Sequence, residues 1–364
     1  MKILYYFKED MTAMTRWQRL HIFNELAHHN CNIEVFNPLK CFSTIEANEK
    51  LIKKCRNEHF DLFMTPYNEK EVFCDTVKQI KHFGIPTMLI CFDNLIVPYV
   101  HGNIAPIFDL VWLTAQETER YFDRRNCNSI FLPYASNPFL KSDNVQEILG
   151  VGFIGTPYGS RINMINLLTQ HNIKVYLHCM NPEEKIFKTN EKTPYKSLIY
   201  TAIQMMRFKE GRKVIVGAIK NKTIKKSTLD ENAYLRKLFK IPIEDIYDAY
   251  RPYALALSST TARNTGVLKK PIGIVNLRSF EIPMASGIQF CRYFAEINEY
   301  FEEDKEILFY RSDEEMIEKA KYYLAPERER VRNDIRVAAR RRAEAEHTWF
   351  CRFSKIFNYL GLKC

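Results

Sequence analysis

The stretch GVGFIGTPYGSRINMINLLTQHNIKVYLH, residues 150–178, decides the fold. An apolar run, GVGFI (150–154), enters a turn with Gly155 and Gly159. Residues 160–170 follow helical periodicity, and IKVYLH (173–178) is a second apolar run. Strand, glycine turn, helix and strand open a parallel α/β sheet covered on both faces. The N-terminus opens in the same way: KILYYF (2–7) predicts a strand, residues 14–29 an amphipathic helix, and IEVF (33–36) a second strand. A second opening this far along the chain predicts two domains of similar architecture.

Working outward, the first series continues with helix 44–57, strand 60–64, helix 69–82, strands 86–92 and 109–113, helix 115–124 and strand 129–132. LPYASNPFLKSDN (132–144) is rich in Pro, Ser and Asn and reads as an interdomain linker. Beyond residue 178 the second series resumes with helix 244–251, strands 253–257 and 272–275, helix 280–286 and a strand near 288–291. Helices 293–301, 313–324 and 327–343 complete it. The expected organisation is a Rossmann-like domain over 1–135, a linker over 136–149, and a second Rossmann-like domain over 150–343 with a basic insertion at about 183–240. A helix in 344–364 is expected to return to the first domain. Such sheets bind ligands at the carboxyl ends of their strands, here expected in a cleft between two facing domains.

The 364 residues are 46% hydrophobic and 26% charged, with 12 Gly and 15 Pro, which excludes extended disorder and low-complexity repeats. Five apolar residues between Lys2 and Lys8 are too few for a secretory leader. TMLICF (87–92) and KVIVGAI (213–219) stop far short of the ~20 residues that span a bilayer. The ten cysteines form no CxxC pair or zinc knuckle, which fits free thiols in a reducing, cytoplasmic setting.

The formal charge of +10 is uneven: −2 over 1–150 and −4 over 241–325, but +9 over 183–240 and +5 over 326–364. Tyr195, Leu198, Ile199, Ala202, Met205 and Met206 recur at helical spacing, and Lys209, Arg212, Lys213, Lys220, Lys222, Lys225 and Lys226 follow closely. Such a stripe is either core beside a solvated face or a peripheral contact with an anionic membrane at its inner face. No RNP, zinc-finger or helix-turn-helix signature accompanies the charge, so nucleic acid is not an expected partner.

The candidate chemistry lies after strands. In VGFIGTPYGSR (151–161), Gly152, Gly155 and Gly159 allow close backbone approach to a ligand. Tyr158 is in the same turn, and Arg161, in the first helical turn, can donate to a diphosphate. In NLRSFEIPMASG (276–287), a strand end runs into Arg278, Ser279, Phe280 and Glu281. A carboxylate there can accept both hydrogen bonds of a ribose diol while Arg278 faces phosphates; alternatively Glu281 complements the helix dipole. SSTTARN (258–264) adds Thr260, Thr261, Arg263 and Asn264 in a polar loop. In the first domain, Asp93 of FDN (92–94) follows strand TMLIC and can act as general base or position a hydroxyl, or simply cap its turn. His101, in VPYVHGN, is the competing base.

Through RSFEIPMASG (278–287), AEINEYFEEDKEILFYRSDEEMIEKAKYYL (295–324) and RRRAEAEHTWFCRF (340–353), the C-terminal half resembles the group 1 glycosyltransferases of the GT-B fold. Within that group it is most similar to the CgeB or spore-maturation-like branch, over about residues 150–355. The N-terminal half matches in architecture. The resemblance implies transfer of a sugar from a nucleotide-sugar donor, a UDP- or GDP-sugar held by the second domain, to a glycan or lipid-linked acceptor held by the first. It favours retention over inversion. Glu281 corresponds to the ribose-binding glutamate, whereas the family's second glutamate, eight residues earlier, is Gly273 here. No DxD pair occurs. No metal or other cofactor is therefore expected, arginines and lysines taking the metal's place. The same fold also serves catalytically silent sugar-nucleotide or glycan-binding proteins, which donor hydrolysis or transfer would distinguish.

Overall fold

The computed structural model describes residues 1–10, 12–140, 146–179, 195–224 and 227–363. The chain divides into two compact units, Met1–Asn137 with Thr348–Cys364, and Pro138–His347.

Unit 1 is built on β1 (Lys2–Tyr6), β2 (Asn32–Phe36), β3 (Leu62–Thr65), β4 (Thr87–Cys91), β5 (Leu110–Leu113) and β6 (Ser129–Phe131). All pairs are parallel, in the order β2-β1-β3-β4-β5-β6. Every residue of β3, β4 and β5 is buried, which is why these strands read as continuous apolar runs rather than alternating ones. The first helix runs over 13–28 and contains a π turn, Arg19–Phe23. Helix Thr44–Asn57 starts at Ser43, whose Oγ accepts the Glu46 N–H.

The last helix, Trp349–Tyr359, belongs to unit 1. Glu25 accepts the N–H groups of both Trp349 and Phe350 at 3.0 and 2.7 Å, satisfying two donors that a helix N-terminus leaves open. Trp349 packs edge-on against Trp17 and Trp112, and Phe353 against Trp112. Truncating a buried aromatic of this kind costs about 3–5 kcal/mol. Arg352 donates to the carbonyls of Pro133 and Tyr134. The helix thereby holds the chain that leaves β6.

Unit 2 carries β7 (Ile148–Ile154), β8 (Val175–His178), β9 (Leu235–Leu238), β10 (Tyr253–Ser258), β11 (Gln289–Arg292) and β12 (Leu308–Tyr310), all parallel in the order β12-β11-β10-β7-β8-β9. Its core is formed by Val151, Phe153, Leu177, Leu255, Leu257 and Phe290 with helices Ser160–Gln170 and Asp313–Leu324. Helix Glu329–Glu346 inserts Arg332 into a buried ion pair with Glu147, beside the start of β7.

Several expectations are corrected. Residues 272–275 form no sheet strand, because both edges of β10 are taken, by β7 and β11; they instead bridge the polar loop through Thr261 and Gly273. Residues 293–301 contain only a 3-10 turn, Glu296–Glu299. The helix expected at 69–82 begins at Cys74, after a turn in which Glu71 and Val72 donate to Asn68. Helix 115–124 contracts to a 3-10 turn, Gln116–Thr118, and Glu119–Asp123. The basic insertion is partly framework, since β9 pairs with β8 at the sheet edge. Residues 141–145 of the expected linker, residues 183–194 of the insertion, and Lys225 and Lys226 lie outside the described residues, as do the side chains of Tyr195 and Leu198. Among the described residues, no helix is long and apolar enough to cross a membrane.

Candidate active site

Sequence-marked residues of unit 2 gather at the carboxyl edge of its sheet. β7 ends at Ile154 and turns at Gly155, whose φ of +137° disfavours any other residue. A Cβ there would also lie 3.0 Å from Arg278 Nη2, so the Arg278 guanidinium rests directly over the turn. Arg278 is set in place by Asn276, whose Oδ1 accepts the Arg278 N–H and whose Nδ2 donates to the Ser259 carbonyl just beyond β10. Its guanidinium donates to the Tyr250 hydroxyl. Burial acts against that charge, but Tyr250 and Glu281 outweigh it and hold the Arg278 pKa above its ordinary value.

Arg161, on the first turn of the helix after β7, approaches from the other side. It donates to the Thr156 carbonyl at 3.2 Å, and its guanidinium lies 4.3 Å from the Tyr158 ring centre. Burial, and after it the charge of Arg278, pull its pKa below the ordinary value, with Tyr158 opposing. Two guanidinium groups thus stand in each other's field beside a glycine turn. An anion between them would relieve that repulsion.

A groove of about 390 Å³, part of it open solvent, adjoins this turn and is lined by Tyr158, Ser160, Arg161, Asn221, Thr261 and Arg263 among others. Asn221 donates to the Asn264 carbonyl at 3.0 Å. Helix Lys209–Thr223 meets the loop so closely that a Cβ on Gly217 would lie 2.2 Å from the Asn264 oxygen. Asn264 itself adopts a positive φ of +68°.

The expected donor residues separate into two groups. Gly155, Tyr158, Arg161, Thr261, Asn264 and Arg278 border the turn or the groove. Glu281 is only 4% exposed and lies in the field of Arg278 and Tyr250. The side chains of Thr260, Ser279 and Phe280 are buried and engaged by neighbouring groups of the protein. Thr260 donates to the Arg292 carbonyl, Ser279 Oγ accepts the Asn276 N–H, and Phe280 has no exposed surface and packs against Tyr300, Phe301 and His347.

In unit 1, Asp93 follows β4 with φ +49° and an exposed side chain. The Tyr134 hydroxyl clamps it, donating to Asp93 Oδ1 at 2.8 Å and accepting the Asp93 N–H at 3.1 Å. The Arg352 bonds to Pro133 and Tyr134 secure that tyrosine in turn. His101 is buried: its Nε2 lies 3.0 Å from the Pro66 carbonyl, which can only accept, so Nε2 carries the proton. Burial holds its pKa below the ordinary histidine value. This leaves the Asp93 carboxylate exposed and His101 enclosed.

Residues 202–358 match the model of a family described as glycosyl transferase-like. No curated protein matches the chain by sequence. Solved structures match it along nearly the whole length. Anabaena HepE in complex with UDP and glucose is 13% identical, with 99% of each chain covered and a TM-score of 0.55. A sucrose-phosphate synthase from Thermosynechococcus elongatus is 10% identical, with 99% of this chain and 98% of that one covered and a TM-score of 0.55. A glycosyltransferase from Rickettsia africae is 8% identical, with 98% and 97% covered and a TM-score of 0.57. The fold is GT-B.

Within this GT-B chain, sequence reasoning missed Tyr250, Asn276, Asn221 and Tyr134. Asn276 stands inside the quoted NLRSFEIPMASG and carries the signal of a short polar residue before a helix. Asn221 was concealed in a stretch read only for its charge. Tyr250 and Tyr134 carry no local signal, because their roles depend on partners far along the chain. Among the described residues, no group of three or more His, Cys, Asp or Glu comes together as a metal-binding set.

Proposed function

We propose that the protein transfers a sugar from a UDP-sugar bound by unit 2 to a glycan or lipid-linked acceptor taken by unit 1, without a required metal ion. The observation that carries this reading is the pairing of Arg278 and Arg161 at the Gly155 turn. Preorganised guanidinium groups stabilise the negative charge that develops on a diphosphate leaving group, the task a metal ion performs elsewhere. Glu281 takes the ribose diol, and Asp93 positions the acceptor hydroxyl or receives its proton. UDP is preferred to GDP on the strength of HepE, which is solved with UDP. The branch is the CgeB-like one, on the motifs around Glu281 and in 340–353, and the anomeric configuration is retained, as the resemblance to group 1 implies. The reaction takes place in the cytoplasm, peripherally at the inner face of a membrane.

A panel of nucleotides and nucleotide sugars tests this by thermal stabilisation. UDP at 100 times its dissociation constant should stabilise the protein by roughly 2.7 kcal/mol. No response to any nucleotide diphosphate would overturn the donor site. Binding without hydrolysis or transfer across a panel of glycans and lipid-linked acceptors would convert the reading to a catalytically silent binding protein.

A further inference from the structure

Helices Tyr195–Met206 and Lys209–Thr223 of unit 2 turn apolar side chains outward. On the first, Ile199, Ile203 and Met206 recur at i, i+4 and i+7; on the second, Val216 and Ile219 stand three apart. All five are between 44% and 60% exposed, whereas Met205 and Val214 are buried. A helix on a soluble domain ordinarily puts such a stripe against the core.

Arg207, Lys209, Arg212, Lys220 and Lys222 are also exposed on this hairpin. Residues 195–224 hold seven basic side chains against a single acid, Glu210. Arg212 donates to the Met206 carbonyl and Arg207 to the Gln204 side chain, so neither bond neutralises charge. A purely solvated face gains nothing from isoleucine, and an apolar protein partner gains nothing from uncompensated lysine. An anionic bilayer accepts both, the apolar groups at its acyl boundary and the basic groups at its phosphates.

We infer that the 195–224 hairpin docks on an anionic lipid bilayer. The inner side of the same hairpin packs through Gly217 on the Asn264 backbone and through Asn221 lines the groove beside Arg161. The bilayer therefore lies about one helix diameter, ~10 Å, from that groove. Resting on the transfer reading above, this places the acceptor among lipid-anchored rather than freely diffusing glycans.

The test is co-sedimentation of the full chain with vesicles of phosphatidylcholine containing phosphatidylglycerol, and with pure phosphatidylcholine, at low and high salt. Binding is expected only to the anionic vesicles and should fall as the screening length drops from ~10 Å at 0.1 M to ~3 Å at 1 M salt. Each basic residue near the surface contributes a factor of about five, so Lys209→Gln, Lys220→Gln and Lys222→Gln together should lower partitioning by about 100-fold. Ile203→Ser with Ile219→Ser should weaken it further, and an Ile203→Trp probe should blue-shift on anionic vesicles. Absence of wild-type binding, or equal binding to neutral vesicles, overturns the inference. So does a patch buried in a dimer that Ile203→Ser dissociates, or a preference for DNA or RNA over lipid. UDP affinity measured on the same samples separates the two readings. UDP binding without vesicle binding refutes the lipid face alone; vesicle binding without UDP binding refutes the donor reading alone.

Discussion

Glu281→Gln keeps the volume of a side chain that is only 4% exposed and removes its charge. Two effects of opposite sign follow. A hydrogen bond to a charged group contributes about 1.5–3 kcal/mol, so losing the proposed ribose contact should weaken UDP by about 10- to 150-fold. Arg278 loses a neighbouring negative charge at the same time, so its attraction for phosphate should hold or rise. The ligands separate these effects. In calorimetry, UDP should weaken while inorganic pyrophosphate binds the variant at least as well as the wild type. The wild type should lose affinity on replacing UDP by 2′-deoxy-UDP, and the variant should lose much less, because the two deletions remove one interaction. An unchanged thermal midpoint and near-UV spectrum would show the fold intact. Unaltered UDP affinity, or an equal 2′-deoxy penalty in both proteins, would refute the ribose assignment and leave Glu281 as a counter-charge for Arg278.

Asp93→Asn should slow transfer by about 100- to 10,000-fold with UDP affinity unchanged. If instead His101→Gln abolishes turnover and Asp93→Asn does not, the acceptor-side role passes to His101. Incubation with EDTA should leave transfer undiminished, and restoration of lost activity by added Mg²⁺ or Mn²⁺ would contradict the arginine-based reading. Glu25, with no exposed surface, has its pKa pushed up from 4.5 to about 7 by burial, against its bonds to Phe350 and Trp349. A folded value above the unfolded one means that the stability it contributes is present below pH 4.5 and is lost as the pH rises through about 7, by roughly 3 kcal/mol. His21, one turn earlier, is pushed down from 6.5 to about 3 by burial, so its contribution is lost in the opposite direction, as the pH falls below 6.5. Thermal midpoints across pH 5–8 should therefore fall less steeply toward the alkaline side in Glu25→Gln than in the wild type; identical slopes would show that Glu25 does not titrate in this range.

The alternation of strands and helices was legible because a parallel sheet is covered on both faces, so that TMLIC and YALAL read as short apolar runs between amphipathic helices. Helix Asp313–Leu324 was legible to its first residue, and the structure shows why it starts there: Ser312 caps it, a purely local device. The edge strand LRKL (β9) escaped, being half exposed and basic; only its pairing with β8 makes it a strand. IGIV at 272–275 failed in the other direction, since its apolar content resembles a strand but both sides of β10 are already taken by β7 and β11, and the segment only bridges Thr261 through Gly273. In the candidate site, residue type and position after a strand were enough to single out Gly155, Arg161, Arg278 and Glu281. Orientation was not legible: Arg278 lies over the glycine turn while Phe280, two residues on, is sealed in the core. Periodicity, caps and turns involve residues a few positions apart, so the chain carries them in its own order. The contacts of Tyr250 with Arg278, Asn221 with Asn264 and Tyr134 with Asp93 join distant segments, and exist only because sheet order and helix packing bring those segments together.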